Sequence, residues 1–239
     1  MESKVDNKFE SIVGNPGSEY RGKPFWAWNG KLEPDELRRQ IRLMKDMGLG
    51  GFFMHSRVGL DTEYLSEEWF RNVDACIDEA EKQNMEAWLY DEDRWPSGAA
   101  GGLVTKNRKY RMRRLTVREY TDTKKFKWEA DTLAVFHIAL NDNKAKIISR
   151  IKKGSKLPAV SNEELIIAFV KTIEKEKDWY NGATYLDTMN PEAVDAFIES
   201  TYERYFQHLG EKFGSLIPWI FTDEPNYLDL IDHKRRQWT

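Results

Sequence analysis

Short apolar runs alternate with amphipathic helical patterns in the first hundred residues and again near the end of the chain. The runs cover residues 24–28, 50–54, 87–90 and 216–221, and apolar side chains occupy successive positions in them. Strands of a parallel sheet that is covered on both faces have this pattern. Because parallel neighbours need a crossover connection, which is usually a helix, the alternation predicts four βα units.

Helix signals lie between these runs. Residues 33–48 begin with Glu-Pro-Asp-Glu, carry apolar side chains at helical spacing and stop at a glycine. A second helix is predicted from Ser66, and a third from Asn190, its cap, to Gly214.

The alternation is interrupted between residues 105 and 184. This segment is rich in lysine and arginine, and residues 133–140, 146–151 and 165–172 have the pattern of further strands. Since it is about eighty residues long, it exceeds an ordinary loop. The predicted division is three βα units over 1–104, a β-rich insertion over 105–184, and a continuation through strand four over 185–239.

A doubly wound sheet and a barrel both satisfy this alternation. Polar residues follow every predicted parallel strand, and barrel sites form at the carboxyl ends of strands, which favours the barrel. A complete barrel needs about 250 residues. The predicted fold class is therefore α/β, the first half of a (β/α)8 TIM-type barrel with a β-rich insertion after strand three. The remaining barrel half would come from a longer or a separate chain.

Composition narrows the classes of partner. Net charge is −3 with acids and bases interspersed, which gives no indication of a nucleic-acid partner. Cys76 is the single cysteine, so neither an internal disulfide nor a CxxC metal pair exists. The polar start of the chain and the lack of an apolar run of about eighteen residues predict a cytoplasmic protein with no membrane span.

Nine tryptophans are a heavy load for this length, and they either fill a core or form flat platforms for sugar rings. Trp28 and Asn29 end the first predicted strand, where they could bind a sugar or close the barrel floor. His55 and Arg57 follow the second strand and complete the same rim. We predict that these side chains contact a substrate.

An acidic loop follows the third strand. Tyr90, Asp91, Glu92 and Trp95 are predicted to bind a sugar, with carboxylates on its hydroxyls and the indole as a stacking wall. The same acids could chelate Ca²⁺, which prefers several oxygen ligands. A network between Arg94 and the carboxylates that braces the loop is an equally good interpretation.

Two further acids, Asp223 and Glu224, follow the fourth strand. Glycosidic bonds are commonly cleaved by two carboxyl groups, one of which protonates the leaving oxygen. The apolar residues 219–221 would place Glu224 in the apolar setting that such an acid needs. We predict Glu224 as the general acid and Asp223 as a substrate contact; a simple surface turn is the alternative.

These motifs resemble the N-terminal part of the catalytic barrel of α-L-rhamnosidase-type glycoside hydrolases, family 106 and its relatives. The resemblance implies a carbohydrate substrate, an acidic mechanism with Glu224 in the acid position of strand four, and a longer polypeptide. It covers most of residues 24–104 and 185–227 and rests on the strings PFWAWNG, GLGGFFMHSR, WLYDEDRWPSGAAGG and IFTDEPNY.

Two other functional classes stay open. A carbohydrate-binding protein without catalysis would use the same aromatic and acidic rim. A lyase or aldolase would need a reactive lysine at a strand end, and none of the four predicted ends carries one. No histidine or cysteine cluster has the spacing of a zinc site, so no metal is assigned.

Overall fold

A computed structural model describes residues 9–10, 12–142, 144–225 and 235–238. They form a four-stranded parallel sheet with helices and a five-stranded antiparallel sheet. The strands are β1 (Phe25–Gly30), β2 (Gly51–Leu60), β3 (Glu86–Tyr90), β4 (Arg113–Tyr120), β5 (Thr132–Asn141), β6 (Lys144–Arg150), β7 (Glu164–Ile173), β8 (Ile220–Phe221) and β9 (Arg235–Gln237). The longer helices are α1 (Pro34–Asp46), α2 (Glu67–Gln83), α3 (Pro191–Ser200) and α4 (Tyr202–Leu209).

The parallel sheet has the order β1-β2-β3-β8, and each neighbouring pair is parallel. The protein is thus a mixed α/β protein with a parallel sheet, as the alternating pattern predicts. Strand β8 is shorter than the predicted run of 216–221, since Pro218 has no N–H to donate. Among the described residues no other parallel strand extends this sheet, so the closed barrel stays a prediction.

Strand β2 is longer than predicted. It continues beyond Met54 to Leu60, and its neighbour β1 pairs with it at Trp28–Ser56 and Gly30–Leu60 around an irregularity. His55 therefore lies within the strand and not in a loop after it. This placement fixes the direction of its side chain by strand alternation.

The helices cover one face of the parallel sheet. Side chains of α1, α2 and α4 pack there against alternate residues of the strands, and the Trp69 indole N–H donates to the Tyr205 hydroxyl at 3.2 Å. None of the described helices has both the length and the apolarity that a membrane span requires. The largest fully buried side chains of this core are Trp28, Ile41, Phe52, Met54, Leu65, Trp69, Leu89 and Tyr205.

The helix predicted between Asn190 and Gly214 is two helices, α3 and α4, that meet at Thr201. Ser200 and Thr201 donate their hydroxyls to the carbonyl oxygens of Ala196 and Phe197, four residues earlier. Such back-bonding bends helices because the hydroxyl competes with the regular N–H donor. The periodicity of the apolar residues survives the bend, which is why the pattern alone predicts one helix.

The insertion forms the antiparallel sheet, in the order β6-β5-β7-β4-β9. Its own core lies on one face, around Val135, Ile166 and Val170. The short strand β9 pairs with β4, although the sequence division places residues 235–237 with the parallel units. Chain order therefore does not predict which sheet these last residues join.

Gly51 allows β2 and β3 to approach, which gives a test of the parallel register. A Cβ atom at this position would lie 2.4 Å from the carbonyl oxygen of Glu86, a backbone atom that cannot rotate away. We expect Gly51→Ala to lower the free energy of unfolding by about 1–3 kcal/mol, as overpacking does. Chemical denaturation measures it. Gly22→Ala is the control, because its Cβ would meet only Leu49 at 3.6 Å; equal effects of the two changes would contradict the register.

Candidate functional site

The face of the parallel sheet opposite to the helices, here called the open face, is lined by aromatic rings. The Phe25 ring lies 4.1 Å from the His55 ring and 5.4 Å from the Phe221 ring, measured between centroids, yet its residue stays 45% exposed. Phe25 is therefore the most exposed part of an aromatic cluster whose other rings are half-buried or buried. The rings of the open face belong to Phe25, Phe53, His55, Trp88, Tyr90 and Phe221.

His55 lies in the middle of the open face, fully buried, with its ring stacked on Tyr90 at 3.6 Å. Its Nδ1 is 2.6 Å from the carbonyl oxygen of Ser56, which can only accept, so Nδ1 carries the proton. Burial lowers the pKa of His55 to about 4, which keeps the imidazole neutral at pH 7. Its Nε2 is then a bare acceptor, and no described residue donates to it.

Asp91 is the hub of the strand ends. Its Oδ1 accepts from the Ser97 hydroxyl at 2.5 Å, and its Oδ2 accepts from the hydroxyls of Tyr202 at 2.7 Å and Thr222 at 2.6 Å. Burial raises the pKa of Asp91, while these three donors oppose that rise. The carboxylate thus joins β3, β8 and α4. The sequence predicts a substrate contact, but in this structure the internal donors occupy both oxygens.

Glu92 is also engaged inside the protein. Burial raises its pKa to about 7, against the effect of the backbone donors. A carboxylate that collects so many amides stabilises the loop around it rather than a ligand. It accepts hydrogen bonds of 2.5–2.8 Å from the backbone N–H groups of Asp93, Gly98, Ala99, Ala100 and Gly101.

Gly98 makes this wrapping of the loop possible. Its φ is +140°, and a Cβ there would lie 2.5 Å from the Leu186 side chain and 2.7 Å from the Tyr185 hydroxyl. No other residue fits both the conformation and the space. The Tyr185 hydroxyl in turn donates to the carbonyl oxygen of Ser97 at 2.5 Å.

The outer part of the acidic loop contacts the insertion. Asp93 accepts from the Ser56 hydroxyl at 2.5 Å and from the Asn181 amide at 3.1 Å, while Arg94 donates to the Asn181 side-chain oxygen. Arg94 thus braces the loop mainly through an amide of the insertion, with the Asp93 carboxylate 3.9 Å away. Trp95, next in the chain, is half-buried beside Trp179.

Asp223 and Glu224 are the carboxylates that remain accessible at the end of β8. Asp223 is half-buried: its backbone N–H donates to the Ser97 hydroxyl, and its carbonyl oxygen accepts from the Ser97 N–H, both at 2.9 Å. Burial and then the negative charge of Glu224 raise the pKa of Asp223, and Arg57 opposes them. Glu224 is exposed, with a left-handed φ of +44°. It does not have the apolar enclosure that the sequence predicts.

The structure separates the two residues predicted at the end of the first strand. Trp28 is 2% exposed and packs against Trp26 and Trp69 in the core, so neither face of its indole is open to a sugar. Strand alternation sends it toward the helices. Asn29 is exposed on the opposite side, as is Arg57 of β2.

Among the predicted residues, the His55 and Tyr90 rings are in contact, and Asp223 interacts electrostatically with Glu224, Arg57 and Asp91. Sequence reasoning missed the partners that hold them. Thr222 stands directly before Asp223 and could have been found from that position. Ser97, Tyr202, Trp179 and Asn181 carry no sequence signal of their own.

A metal site is not evident in the part of the chain that the structure describes. No group of three or more histidine, cysteine, aspartate or glutamate side chains there could hold an ion. The acidic loop, where the sequence suggests Ca²⁺, directs Asp91 and Glu92 to internal donors instead.

The structure thus shows an α/β protein whose polar rim lies at the carboxyl ends of parallel strands, where ligands bind in such folds. No family model matches the sequence, and no curated protein is significantly similar to it. Among solved structures, a rhamnosidase from Novosphingobium sp. PP1Y is 20% identical with a TM-score of 0.38. The match covers 54% of this chain and 15% of that chain, and a likeness at this level establishes neither family nor activity.

Glu92→Gln tests the wrapped loop. The Oε1 and Oε2 atoms both accept from backbone N–H groups, so the new amide nitrogen must face donors on one side. Because at least two buried N–H groups lose their acceptor, we expect the free energy of unfolding to fall by about 2–5 kcal/mol. Denaturation and hydrogen exchange of residues 98–101 measure it. The exposed acid Glu63 is the control, and a loss no larger than that of Glu63→Gln would contradict the assignment.

The pH dependence of stability tests the state of His55. Its pKa is about 4 in the folded chain against an ordinary 6.5, so the unfolded chain binds the proton more tightly. Stability is therefore lost as the pH falls from 6.5 towards 4. Between pH 7 and pH 5 we expect the wild type to lose about 2 kcal/mol more than His55→Gln. Denaturation curves of both proteins at each pH measure this difference. Parallel pH profiles would show that His55 is not held neutral.

Proposed function

We propose that this chain is part of the catalytic domain of a glycoside hydrolase, with Glu224 as the general acid. The observation that carries the proposal is the position of Asp223 and Glu224. They lie at the carboxyl end of β8, beside a rim that contains Arg57 and Tyr90, and their carboxylates are not occupied as those of Asp91 and Glu92 are. The motif resemblance described above supports the same class.

In this mechanism Glu224 gives its proton to the glycosidic oxygen as the bond to the anomeric carbon breaks. A second carboxylate activates water, or attacks and is later released by water, so that each cleavage consumes one water. Asp223 cannot oppose its own neighbour across the sugar ring. We place the second carboxyl on another strand of the proposed barrel. The residues described here supply one half of that barrel, and the other half comes from a longer or a separate chain.

The open face suits the sugar itself. The exposed ring of Phe25 and the half-buried rings beside it can stack on the C–H faces of a pyranose. Arg57 and Asn29, both exposed on the rim, add donors. Ring stacking with a few directed polar groups is the usual composition of a small-ligand site.

A non-catalytic carbohydrate-binding protein is the second candidate. It is favoured by the internal use of the acidic loop, where Asp91 and Glu92 accept from the protein's own hydroxyls and amides. Two of the predicted site acids are thus structural, and binding needs no proton donor.

Glu224→Gln in the full-length protein distinguishes the two candidate functions. We expect hydrolysis of an unactivated disaccharide to fall by about 10²–10⁴, the scale of a lost general acid. An aryl glycoside with an acidic leaving group should lose far less, because its departure needs no proton. Initial rates on both substrates measure the effect.

Glu211→Gln, an exposed acid that precedes β8 at the other end of the strand, is the matched control. Equal losses on both substrates, together with lost sugar affinity, would show that Glu224 positions the ligand. Sugar binding without hydrolysis by the wild type would favour the second candidate.

A further inference from the structure

Two tryptophans form a corner where the acidic loop meets the insertion. The rings of Trp95 and Trp179 lie 5.0 Å apart between centroids, with their planes at 74°. Trp179 is 61% exposed, although tryptophan is usually well covered. The apolar face of an indole thus stands open beside a half-buried partner.

Neighbouring residues hold Trp179 in this exposed position. Tyr180, the next residue, is buried, with its ring 5.6 Å from that of Tyr185. Asn181, which follows Tyr180 in a left-handed conformation, bonds to both Asp93 and Arg94. The exposure of Trp179 therefore belongs to an anchored turn and not to a free loop tip.

The corner also adjoins the candidate site. The carbonyl oxygen of Arg94, one residue before Trp95, accepts from the Tyr90 hydroxyl at 2.7 Å, and the Tyr90 ring stacks on His55. Asp93 bonds to Ser56 of β2. Two separate contacts thus connect the corner to the strand ends and place it beside the rim.

We propose that Trp95 and Trp179 form a subsite for a second, neutral sugar unit, so that the insertion selects oligosaccharides over monoglycosides. One indole stacks on the C–H face of the ring, and the other, nearly perpendicular, bounds its edge. The polar groups of Asp93, Arg94 and Asn181 at the base of the corner suit hydroxyls. The expected effect on kinetics rests on the proposed function. The expected effect on sugar binding rests on the geometry of the corner alone.

Kinetics of Trp179→Ala in the full-length protein give the first test. One lost stacking contact corresponds to about 0.5–1.5 kcal/mol, or about 2- to 13-fold. We expect KM for a tri- or tetrasaccharide to rise by that factor with kcat little changed. The 4-nitrophenyl monoglycoside of the same sugar should keep its kcat/KM. Trp179→Phe should restore most of the loss, since it keeps an aromatic face.

Trp238→Ala is the matched control, because Trp238 is also exposed but lies beside the antiparallel sheet, where its backbone N–H donates to the carbonyl oxygen of Arg113. It should leave both substrates unaffected. Equal losses of Trp179→Ala on the short and long substrates would overturn the subsite and show that Trp179 only supports the loop.

Binding of the wild type and variants to an array of neutral di- to pentasaccharides gives a second readout that does not need hydrolysis. If no glycoside is cleaved, the proposed function fails, but weaker binding by Trp179→Ala than by Trp238→Ala still supports the subsite. Absence of binding by the wild type across the array, or binding that Trp179→Ala leaves unchanged, overturns it.

Discussion

The hydrogen bonds that converge on Asp91 connect residues that are far apart in the sequence. Tyr202 and Thr222 are 111 and 131 residues away from the carboxylate that accepts their hydroxyls. A buried carboxylate is costly unless its lone pairs are matched, so Asp91 forces its three hydroxyl partners into one arrangement. Ser97, the third partner, also exchanges backbone and side-chain bonds with Asp223. The position of the accessible acids Asp223 and Glu224 thus depends on the buried acid Asp91.

This arrangement divides the carboxylates at the strand ends into two kinds. Asp91 and Glu92 accept hydrogen bonds from hydroxyls and amides of the protein, and they fix the loop and the start of α4. Asp223 and Glu224 follow Thr222, which Asp91 holds in place. Asp223 is half-buried and Glu224 is exposed to solvent. The rigid pair supplies the preorganisation that a reactive or binding carboxylate needs. A substitution of Asp91 or Glu92 therefore affects a ligand indirectly, through the positions of the loop and of α4. A substitution of Asp223 or Glu224 removes a group that a ligand can contact.

The strands and helices of the parallel sheet were largely predictable, because their apolar spacing reflects burial directly. Thr201 shows where this fails: hydroxyl back-bonding bends a helix without changing its apolar spacing. The site was less predictable. That His55 and Asp91 share an edge follows from the parallel strands, but the direction of Trp28 depends on strand phase, which one residue reverses. In the sequence, Glu92 is a carboxylate in a loop after a strand, as a ligand contact would be. Only the path of residues 98–101 shows that backbone N–H groups already bind this carboxylate.

The contacts at the base of the insertion have a consequence for the order of folding. Met112 donates its N–H to Tyr185 at 2.9 Å, and Asp187 donates to Tyr110 at 2.7 Å, so the insertion leaves the parallel unit and returns to it at one point. Without these contacts, the pairing of β3 with β8 would have to close a loop that contains the whole insertion. Closure entropy rises only slowly with loop length, but formation rates fall as contacts become less local. An insertion that is already folded shortens the effective separation of β3 and β8, so it slows their pairing less than an unfolded loop of the same length would.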